Sequence, residues 1–341
     1  MTVTGLLTKP RTLVGQSFSF EVPASRLTEL IKVVSIGDAI TVAGVSGPDV
    51  VARLRKEDRF GDIPVLFDGE GYRGKLAGRE GRWLDQQYEA GADRIFTPGS
   101  WIENDESSLA RGLTTEIKWS ERVGGATLLL AVDHRWISSK THCLITHLKN
   151  VDGPVALILG NPGDPLGASG AVNGLAELSM SVPNLTLLRC DHGAIGALAF
   201  GITHGAIGVT TAYRHFVPPT STGGGRRNDN TPRVFIAQLM DWFTTFRVAG
   251  WSTTKVPIRC SEPCCRGGRI DRFLNEDENV IEHNTTALAS IAEYVLNAPR
   301  DETRRIWAGL CLHAMEFYGP MGNLVNEIEP KSQLVQWAAY A

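Results

Sequence analysis

The chain has 341 residues, of which 43% are hydrophobic and 21% are charged, so it can bury a full core as one large α/β domain with an appendage or as two smaller domains. A net charge of -3 and a pI near 6.3 exclude bulk attraction to nucleic acid or acidic membranes. No apolar run approaches about 18 residues and no charged leader precedes one, so we expect a cytoplasmic protein without a membrane partner.

Short apolar runs alternate with helix-length segments over the first 215 residues. The predicted strands are residues 17–22, 39–43, 64–67, 94–97, 127–132, 155–159, 185–188 and 207–211. The predicted helices are residues 26–34, 48–56, 82–90, 107–120, 138–149, 168–180 and 193–204. This alternation predicts a (β/α)8 TIM barrel, with an open doubly wound sheet as the alternative. No glycine-rich dinucleotide or phosphate-loop motif follows the first strand, which disfavours the open sheet.

Three aspartates, Asp68, Asp133 and Asp191, follow predicted strands. Because the chemistry of such barrels sits at the carboxyl ends of the strands, we predict that these aspartates are catalytic, as nucleophile or general acid/base. An aspartate after a strand also often caps the next helix, and that alternative stays open for each. The other residues at these strand ends that we predict to bind substrate are Gly69, Tyr72, Gly99, Arg214 and His215.

Residues 63–72, residues 86–93, and residues 260–265 with His283, taken in order, resemble three stretches of a known enzyme family, the tRNA-guanine transglycosylases. Residues 63–72, IPVLFDGEGY, resemble the family's strand and turn, which reads as proline, apolar strand, aspartate, small residue, glycine and aromatic residue. Residues 86–93 resemble its segment of glutamine followed by glycine, alanine and aspartate. Residues 260–265, CSEPCC, with His283 beyond them, resemble the zinc module that the family inserts after its last barrel strand.

The resemblance implies an enzyme that replaces guanine in a nucleic acid with a 7-deazaguanine such as preQ0, through a covalent intermediate. Asp68 matches the family's general acid/base. The last strand, residues 207–215, lacks the family's nucleophilic aspartate, and residues 97–100 lack its base-recognising acid. Either Asp133 or Asp191 is then the nucleophile, or the chain is noncatalytic. The family has relatives that act on DNA, so we prefer DNA slightly over tRNA.

The cysteine cluster departs from the family's spacing of C-x-C-x2-C. Cys260 and Cys265 keep the outer separation, Glu262 holds the middle position, and Cys264 is an extra cysteine. Zinc takes four ligands of thiolate, imidazole or carboxylate type. We therefore predict a structural Zn2+ held by Cys260, Cys264, Cys265 and His283, with Glu262 as a substitute ligand. Three reduced core thiols are the alternative.

Basic residues concentrate after residue 213, in a chain that is otherwise mildly acidic. Arg226 and Arg227 lie in a glycine-rich segment, residues 220–230, that reads as a mobile loop. Together with Arg266 and Arg269 they are predicted to contact the phosphates of a nucleic acid. A solvated surface with scattered counter-ions is the alternative.

The predicted organisation is a barrel core over residues 1–215, a zinc-binding insertion over 216–282 and C-terminal helices over 283–341 that close the barrel. A noncatalytic nucleic-acid-binding partner of a competent transglycosylase is a second functional hypothesis. An unrelated barrel enzyme on a small phosphorylated substrate, using residues 205–208 and Asp133, is a third. Whether the chain forms a homodimer or binds a partner subunit is open.

Overall fold

The computed structural model describes residues 15–34, 37–219, 232–253, 258–273, 278–325 and 328–341. Two sets of strands lie within these ranges. The strands are β1 (Ser17–Pro23), β2 (Ala39–Ala43), β3 (Val65–Asp68), β4 (Ser100–Ile102), β5 (Leu128–Asp133), β6 (Val155–Gly160), β7 (Leu185–Cys190), β8 (His204–Gly208), β9 (Arg233–Ile236) and β10 (Asp241–Thr244). The α-helices are α1 (Leu27–Leu30), α2 (Gly47–Lys56), α3 (Glu80–Glu89), α4 (Glu106–Arg122), α5 (Arg135–Ser138), α6 (Thr141–Lys149), α7 (Ala171–Ser181), α8 (Gly193–Phe200), α9 (Thr211–Arg214), α10 (Thr245–Ala249), α11 (Glu278–Leu296), α12 (Thr303–Val325) and α13 (Ser332–Ala338).

The first eight strands form one parallel sheet in the order β3-β2-β1-β8-β7-β6-β5-β4. The first strand lies between β2 and β8, so the two ends of the alternating series meet inside the sheet. Helices connect the strands and surround the curled sheet, because parallel neighbours need a crossover. This arrangement is consistent with the predicted TIM-like barrel. The remaining two strands, β9 and β10, form an antiparallel hairpin.

Successive side chains along the strands point to opposite faces of the sheet, so the apolar residues form an outer layer and an inner layer. On β1, Phe18 and Phe20 belong to the outer cluster that packs against the helices. A separate inner cluster draws on β2, β3, β5, β6, β7 and β8, and includes Leu66, Leu129 and Ile158. Two distinct apolar clusters on the two faces of one sheet are what a curled sheet with a filled interior requires.

The segment before β4 contacts β3 and the turn that follows β3. The amide of Asp93 donates to the carbonyl of Val65 at 2.9 Å, and the amide of Val65 donates to Oδ2 of Asp93 at 2.5 Å. At the other end of β3, a Cβ on Gly71 would lie 2.2 Å from the carbonyl oxygen of Pro98. We call this line of approach the seam. In the described residues, no strand ladder joins β3 to β4 along it.

The prediction of a strand over residues 94–97 was wrong in position, since β4 begins at Ser100. Phe96 makes only an isolated bridge with Thr127. The side chain of Gln87 makes hydrogen bonds to both backbone polar groups of Phe96. Oε1 accepts the amide at 2.9 Å, and Nε2 donates to the carbonyl at 2.8 Å. Those groups are therefore not available for a ladder with β3.

Two other boundaries also differ from the prediction. Helix α8 ends at Phe200 because Gly201 has a φ of 121°, and β8 begins at His204, three residues before the predicted strand. The helix predicted over residues 138–149 begins three residues later, as α6 at Thr141, and a separate short helix, α5, precedes it.

The C-terminal helices cover α8. A Cβ on Gly196 would lie 2.7 Å from the indole rings of both Trp307 on α12 and Trp337 on α13. The small residues of α8 are therefore needed for this close packing. In the described ranges, none of the helices combines the length and apolarity needed to cross a membrane.

Candidate active site

Asp68, at the end of β3, lies inside the curled sheet. Its side chain is fully buried. Oδ1 accepts the amide of Glu70 at 2.8 Å, and Oδ2 accepts the hydroxyl of Tyr72 at 2.7 Å. The structure therefore joins two residues of the predicted site, Asp68 and Tyr72, by a direct hydrogen bond.

A buried arginine of β7 completes this group. Arg189 Nη1 donates to Oε1 of Glu70 at 2.8 Å and to the hydroxyl of Tyr72 at 2.5 Å. Its backbone amide donates to Glu21 of β1 at 2.9 Å. Nη1 also lies 3.7 Å from Oδ2 of Asp68, and Nε lies 3.9 Å from Oε1 of Glu21. We call Glu21, Asp68, Glu70, Tyr72 and Arg189 the interior network.

Two members of the interior network have strained backbones. Arg189 has a φ of 54° and Glu70 a φ of 55°, in the left-handed region that favours glycine. The ladder between β7 and β8 is irregular at this point, between Leu187 and Cys190. Such strain costs about 1–3 kcal/mol for each residue and clusters at functional sites. In the described residues, Oε1 of Glu21 and both Nε and Nη2 of Arg189 have no hydrogen-bond partner.

Burial and the single arginine divide the charge of this network unevenly. Burial raises the pKa of Glu21 well above its usual range, against the opposing pull of Arg189. Burial likewise raises the pKa of Asp68, again opposed by Arg189. For Glu70, the cations Arg189 and Lys75 outweigh burial and lower the pKa to about 2. The ionised Glu70 is therefore the main partner of Arg189, and Glu21 and Asp68 hold protons more readily.

A second titratable group lies at the carboxyl ends of three neighbouring strands. Asp164 follows β6, Asp191 follows β7, and His215 follows β8 and α9. One ligand atom from each lies within 4.8 Å of the others, and the group could hold a metal ion. Asp191 is buried, whereas Asp164 and His215 are half-buried, so this group reaches the surface. We call these three residues the mouth cluster.

Hydrogen bonds fix the two carboxylates of the mouth cluster. Oδ1 of Asp191 accepts the amide of Gly193 at 2.8 Å, and Oδ2 accepts Nε2 of Gln333 at 2.8 Å. Oδ1 of Asp164 accepts the amide of Leu166 at 2.9 Å. Since Gln333 belongs to α13, the C-terminal helix positions the carboxylate of Asp191.

The environment moves the two pKa values in opposite directions. Burial and the charge of Asp191 raise the pKa of Asp164 to about 7. Burial would raise the pKa of Asp191, but His192, His215 and its hydrogen-bond donors outweigh burial and lower it to about 2. Burial lowers the pKa of His215 to about 4. Near neutral pH, an ionised carboxylate therefore lies beside a carboxyl group that readily gives or takes a proton.

Asp133, the third predicted catalytic aspartate, is engaged in a local ion pair. Its Oδ1 and Oδ2 accept Nε and Nη2 of Arg135, each at 2.8 Å, and Oδ1 also accepts the Arg135 amide at 2.9 Å. Arg135 outweighs partial burial and lowers the pKa of Asp133. This arrangement matches the structural alternative in which the aspartate fixes the start of the following helix, here α5.

Arg214, Gly69 and Gly99, three more of the predicted substrate-binding residues, make packing contacts or form turns. Arg214 is buried, donates to the carbonyls of Gly208 and Val209 at 3.3 and 3.2 Å, and lies 3.5 Å from the ring centroid of Trp242. A Cβ on Gly69 would lie 2.7 Å from the side chains of Leu76 and Trp83. Gly99 has a φ of 94°. The structure gives these residues packing and turn roles, and His215 alone of the predicted binding set joins the mouth cluster.

The predicted cysteine and histidine ligands come together between the hairpin and α11. Nδ1 of His283 lies 3.1 Å from Sγ of Cys265, 3.6 Å from that of Cys260 and 3.9 Å from that of Cys264. The sulfur atoms of Cys264 and Cys265 are 3.6 Å apart. Cys260, Cys265 and His283 are buried and could hold a metal ion.

Surrounding groups orient this cysteine cluster. Nε2 of His283 lies 2.8 Å from the carbonyl oxygen of Phe235, which directs Nδ1 toward the thiols. The amide of Glu262 donates to Sγ of Cys260 at 3.4 Å. The backbone of Glu262 thus supports the cluster.

The predicted nucleic-acid contacts are described only in part. Arg266 and Arg269 are exposed, and Arg269 is paired with Asp271. Arg226 and Arg227 lie outside the described residues, as does the rest of the glycine-rich segment.

Sequence reasoning missed Glu21, Arg189 and the role of Asp164. Glu21 continues the pattern Ser-Phe-Ser-Phe-Glu of β1, in which every second residue is polar, and this pattern could have placed it inside. Arg189 stands alone in an apolar strand, and nothing in the local pattern indicates its partners.

Comparison of the chain with family models, with curated proteins and with solved structures gave no match.

Proposed function

We propose that the chain is a transglycosylase-like enzyme that replaces guanine in a nucleic acid with a 7-deazaguanine such as preQ0. The observation that supports this proposal most is the mouth cluster, in which Asp164 and Asp191 lie close together with pKa values of about 7 and about 2. Two carboxyl groups about 5–5.5 Å apart suit a double displacement at an anomeric carbon, which retains its configuration. Base exchange on a nucleic acid needs that outcome.

In the proposed reaction, Asp191 is the nucleophile and Asp164 the general acid/base. An oxygen of Asp191 attacks C1′ of the nucleotide, and the bond from C1′ to N9 of guanine breaks with its electron pair going to the base. Asp164 gives its proton to the departing guanine. In the second step Asp164 takes the N9 proton of the incoming base, whose nitrogen attacks C1′ and releases the carboxylate of Asp191.

Asp191 has the lone pairs that this role requires. Oδ1 accepts the amide of Gly193 and, at 3.9 Å, the thiol of Cys190, and Oδ2 accepts Nε2 of Gln333. A carboxylate has about four acceptor positions, so these three bonds leave an electron pair for attack. They also hold the carboxylate in one orientation. Asp68, which is sealed in the interior network, and Asp133, which is paired with Arg135, remain sequence-based candidates.

The cysteine cluster supports a structural Zn2+ in the same protein. A tetrahedral site with Zn–S bonds of about 2.3 Å and Zn–N bonds of about 2.0 Å separates its ligand atoms by about 3.5–3.8 Å. The separations of Nδ1 of His283 from the three cysteine sulfurs, 3.1 to 3.9 Å, bracket that range. Cys260, Cys265 and His283 have ligand atoms within 4.8 Å of one another, in a group that does not include Cys264. Cys264 would become the fourth ligand by turning its sulfur toward them, and four protein ligands would leave no open position for catalysis. Thiols of this kind persist in a reducing compartment such as the cytoplasm.

The choice of nucleic acid is part of the same proposal. DNA is slightly preferred over tRNA, on the ground of the resemblance. Arg266 and Arg269 are exposed close to the cysteine cluster, where they can meet phosphates.

The test is exchange of labelled guanine or preQ0 into DNA and into tRNA by the pure protein. We expect Asp191→Asn and Asp164→Asn each to lower the rate by about 10²–10⁴-fold. In the parent, activity that needs protonated Asp164 should decline above about pH 7. Asp152→Asn, an exposed acid, is the control and should keep the parent rate.

Several outcomes decide between the hypotheses. Incorporation by the protein alone excludes the noncatalytic partner role. An unchanged rate in Asp191→Asn removes that residue as nucleophile, and Asp68→Ala tests the sequence-based general acid/base in the same assay.

A second candidate function is metal-assisted hydrolysis of a small phosphorylated substrate. The specific observation in its favour is that Asp164, Asp191 and His215 also form a group able to hold a metal ion. Turnover without nucleic acid that is lost in EDTA and restored by Mn2+ or Zn2+ would support it over base exchange.

A further inference from the structure

A third group of possible metal ligands lies between the start of α4 and α6, apart from the mouth cluster and the cysteine cluster. It consists of Glu106, Cys143 and His147, whose carboxylate, sulfur and imidazole ligand atoms lie within 4.8 Å of one another. Cys143 and His147 are half-buried and Glu106 is exposed, so an ion can reach the group from solution. We call these three residues the rim group.

Two residues of the rim group share one face of a helix. Cys143 and His147 are four positions apart on α6, and residues at that spacing are neighbours on a helix surface. Zinc-binding helices use the same spacing for a pair of histidine ligands. Because the helix backbone fixes both Cβ positions, the sulfur and the imidazole can meet one ion with little loss of side-chain freedom.

Hydrogen bonds hold the start of α4 beside this helix. Lys140, which precedes α6, donates from Nζ to the carbonyl of Asn104 at 2.8 Å. Trp136 of α5 donates from Nε1 to the carbonyl of Glu103 at 2.8 Å. These bonds fix the segment just before Glu106 against α5 and the start of α6. The fold therefore presents the carboxylate to the other two residues without a rearrangement of the backbone.

The charges of the rim group suit a divalent cation. Burial raises the pKa of the Cys143 thiol, and Glu106 raises it further by its charge and its hydrogen bond, whereas Lys140 lowers it. A bound cation displaces the thiol proton, and the thiolate and the carboxylate then offset the two positive charges of the ion. The ammonium of Lys140 is engaged by the Asn104 carbonyl and lies 5.2 Å from the ring centroid of Trp136.

We propose that Glu106, Cys143 and His147 form a further metal site, which binds a thiophilic divalent ion such as Zn2+ through a carboxylate oxygen, a thiolate and an imidazole nitrogen. Thiolate and imidazole ligands favour Zn2+ and related transition metals, whereas Mg2+ and Ca2+ prefer oxygen ligands. Three protein ligands leave one tetrahedral position for water or for a further ligand from solution. In this respect the rim group differs from the closed shell proposed for the cysteine cluster.

Alkylation of Cys143 by iodoacetamide, followed by mass spectrometry of its peptide, tests the site without any assay of activity. A thiolate bound to a metal ion is not free to react. Zn2+ at about ten times its Kd should therefore slow the alkylation of Cys143 about 10-fold. Mg2+ at the same concentration should leave the rate unchanged. Because the peptide is identified by its mass, zinc at the cysteine cluster does not enter this measurement.

Variants of the other two ligands make the test specific. His147→Ala should weaken zinc binding by at least about 100-fold, since even a residue that only supports a ligand contributes about 10–100-fold, and protection of Cys143 should disappear. Glu106→Gln should also reduce the protection. His142→Ala, which removes an exposed histidine from the same helix, should protect Cys143 as the parent does. All three should keep the parent circular dichroism spectrum in metal-free buffer, because none of these side chains is buried.

The outcomes that overturn the proposal are equally specific. One is the absence of zinc protection in the parent, and another is protection that is unchanged in both His147→Ala and Glu106→Gln. Equal loss of protection in His142→Ala would do the same. Elemental analysis gives an independent measurement: the parent equilibrated with Zn2+ should hold about one more zinc per chain than Cys143→Ser, and equal contents would refute the proposal. Protection that depends on His147, in a protein that exchanges no base, would support this site and refute only the proposed function.

Discussion

Removing the arginine of the interior network should destabilise the fold in a manner that depends on pH. Arg189→Met keeps the length and apolar character of the side chain but removes its charge. Glu70 loses the donor that lies 2.8 Å from its Oε1, and Tyr72 loses the donor at 2.5 Å. Breaking a buried ion pair by deleting one partner costs about 3–5 kcal/mol, because the other charge stays buried.

This cost translates into a measurable shift in melting temperature. Unfolding entropies of about 2.1 cal/mol/K per residue imply about 0.7 kcal/mol/K for a chain of this size. A loss of about 3–5 kcal/mol at pH 8 should therefore lower Tm by about 4–7 °C.

The pH dependence follows from the directions of the pKa shifts. In the parent, Arg189 and Lys75 hold the folded pKa of Glu70 at about 2. The ionised Glu70 therefore stabilises the fold above its unfolded pKa, and this stabilisation is lost as pH falls toward 2. The folded pKa values of Glu21 and Asp68 are raised, so their contribution is present at acid pH and is lost as pH rises through the folded values. Without the arginine, the pKa values of Glu21 and Asp68 lose the group that opposes their rise, whereas Glu70 keeps Lys75 and Arg73 as partners. The penalty should therefore be smaller at pH 5 than at pH 8.

Urea unfolding followed by circular dichroism at both pH values measures this difference. Arg305→Met removes an arginine whose side chain is 73% exposed, and should change stability by less than about 1 kcal/mol. A penalty for Arg189→Met below about 1 kcal/mol, or one of equal size at pH 5 and pH 8, would refute the reasoning. Adding Glu70→Gln to Arg189→Met should recover part of the loss at pH 8.

Two more predictions concern the cysteine cluster and a close helix contact. Cys265→Ser should lose bound zinc, measured by elemental analysis, and lower Tm. Cys311→Ser, which lies outside the groups able to hold a metal, should retain the zinc, and equal zinc in both variants would contradict the ligand assignment. Gly174→Ala places a Cβ 1.7 Å from the carbonyl oxygen of Ile137 and should lower the free energy of unfolding by several kcal/mol. Gly309→Ala meets nothing within 4 Å and should raise the free energy of unfolding by about 0.5–1 kcal/mol, because alanine favours a helix over glycine. Equal urea midpoints for the two glycine variants would show that the α5–α7 contact yields.

The alternation of strands and helices was predictable because each element is signalled locally. Short apolar runs bounded by turns and separated by helix-length segments suffice to predict parallel strands with crossover helices. The displaced β4 was not predictable in this way. Its position depends on Gln87, whose side chain satisfies the backbone of Phe96 from another element.

The cysteine cluster and the buried polar groups also differ in how far the sequence alone predicts them. The cysteine cluster was predictable because three of its residues lie within six positions and His283 is the suitable imidazole beyond them. The interior network depends on Arg189, which reaches Glu70 from 119 positions away through a distorted strand. The pKa of Asp164 depends on Asp191, whose proximity arises only from neighbouring strand ends. Residue types alone do not reveal such pairings.

The seam is the side of the curled sheet on which no strand ladder joins the two edge strands, β3 and β4, in the described residues. Along the seam, the described residues make two hydrogen bonds between Asp93 and Val65 and a close contact between Gly71 and Pro98. Asp68 and Glu70 lie along this side. Since Asp68 and Glu70 are buried, breaking the contact between Asp93 and Val65 would bring water toward two carboxyl groups that the closed arrangement keeps dry.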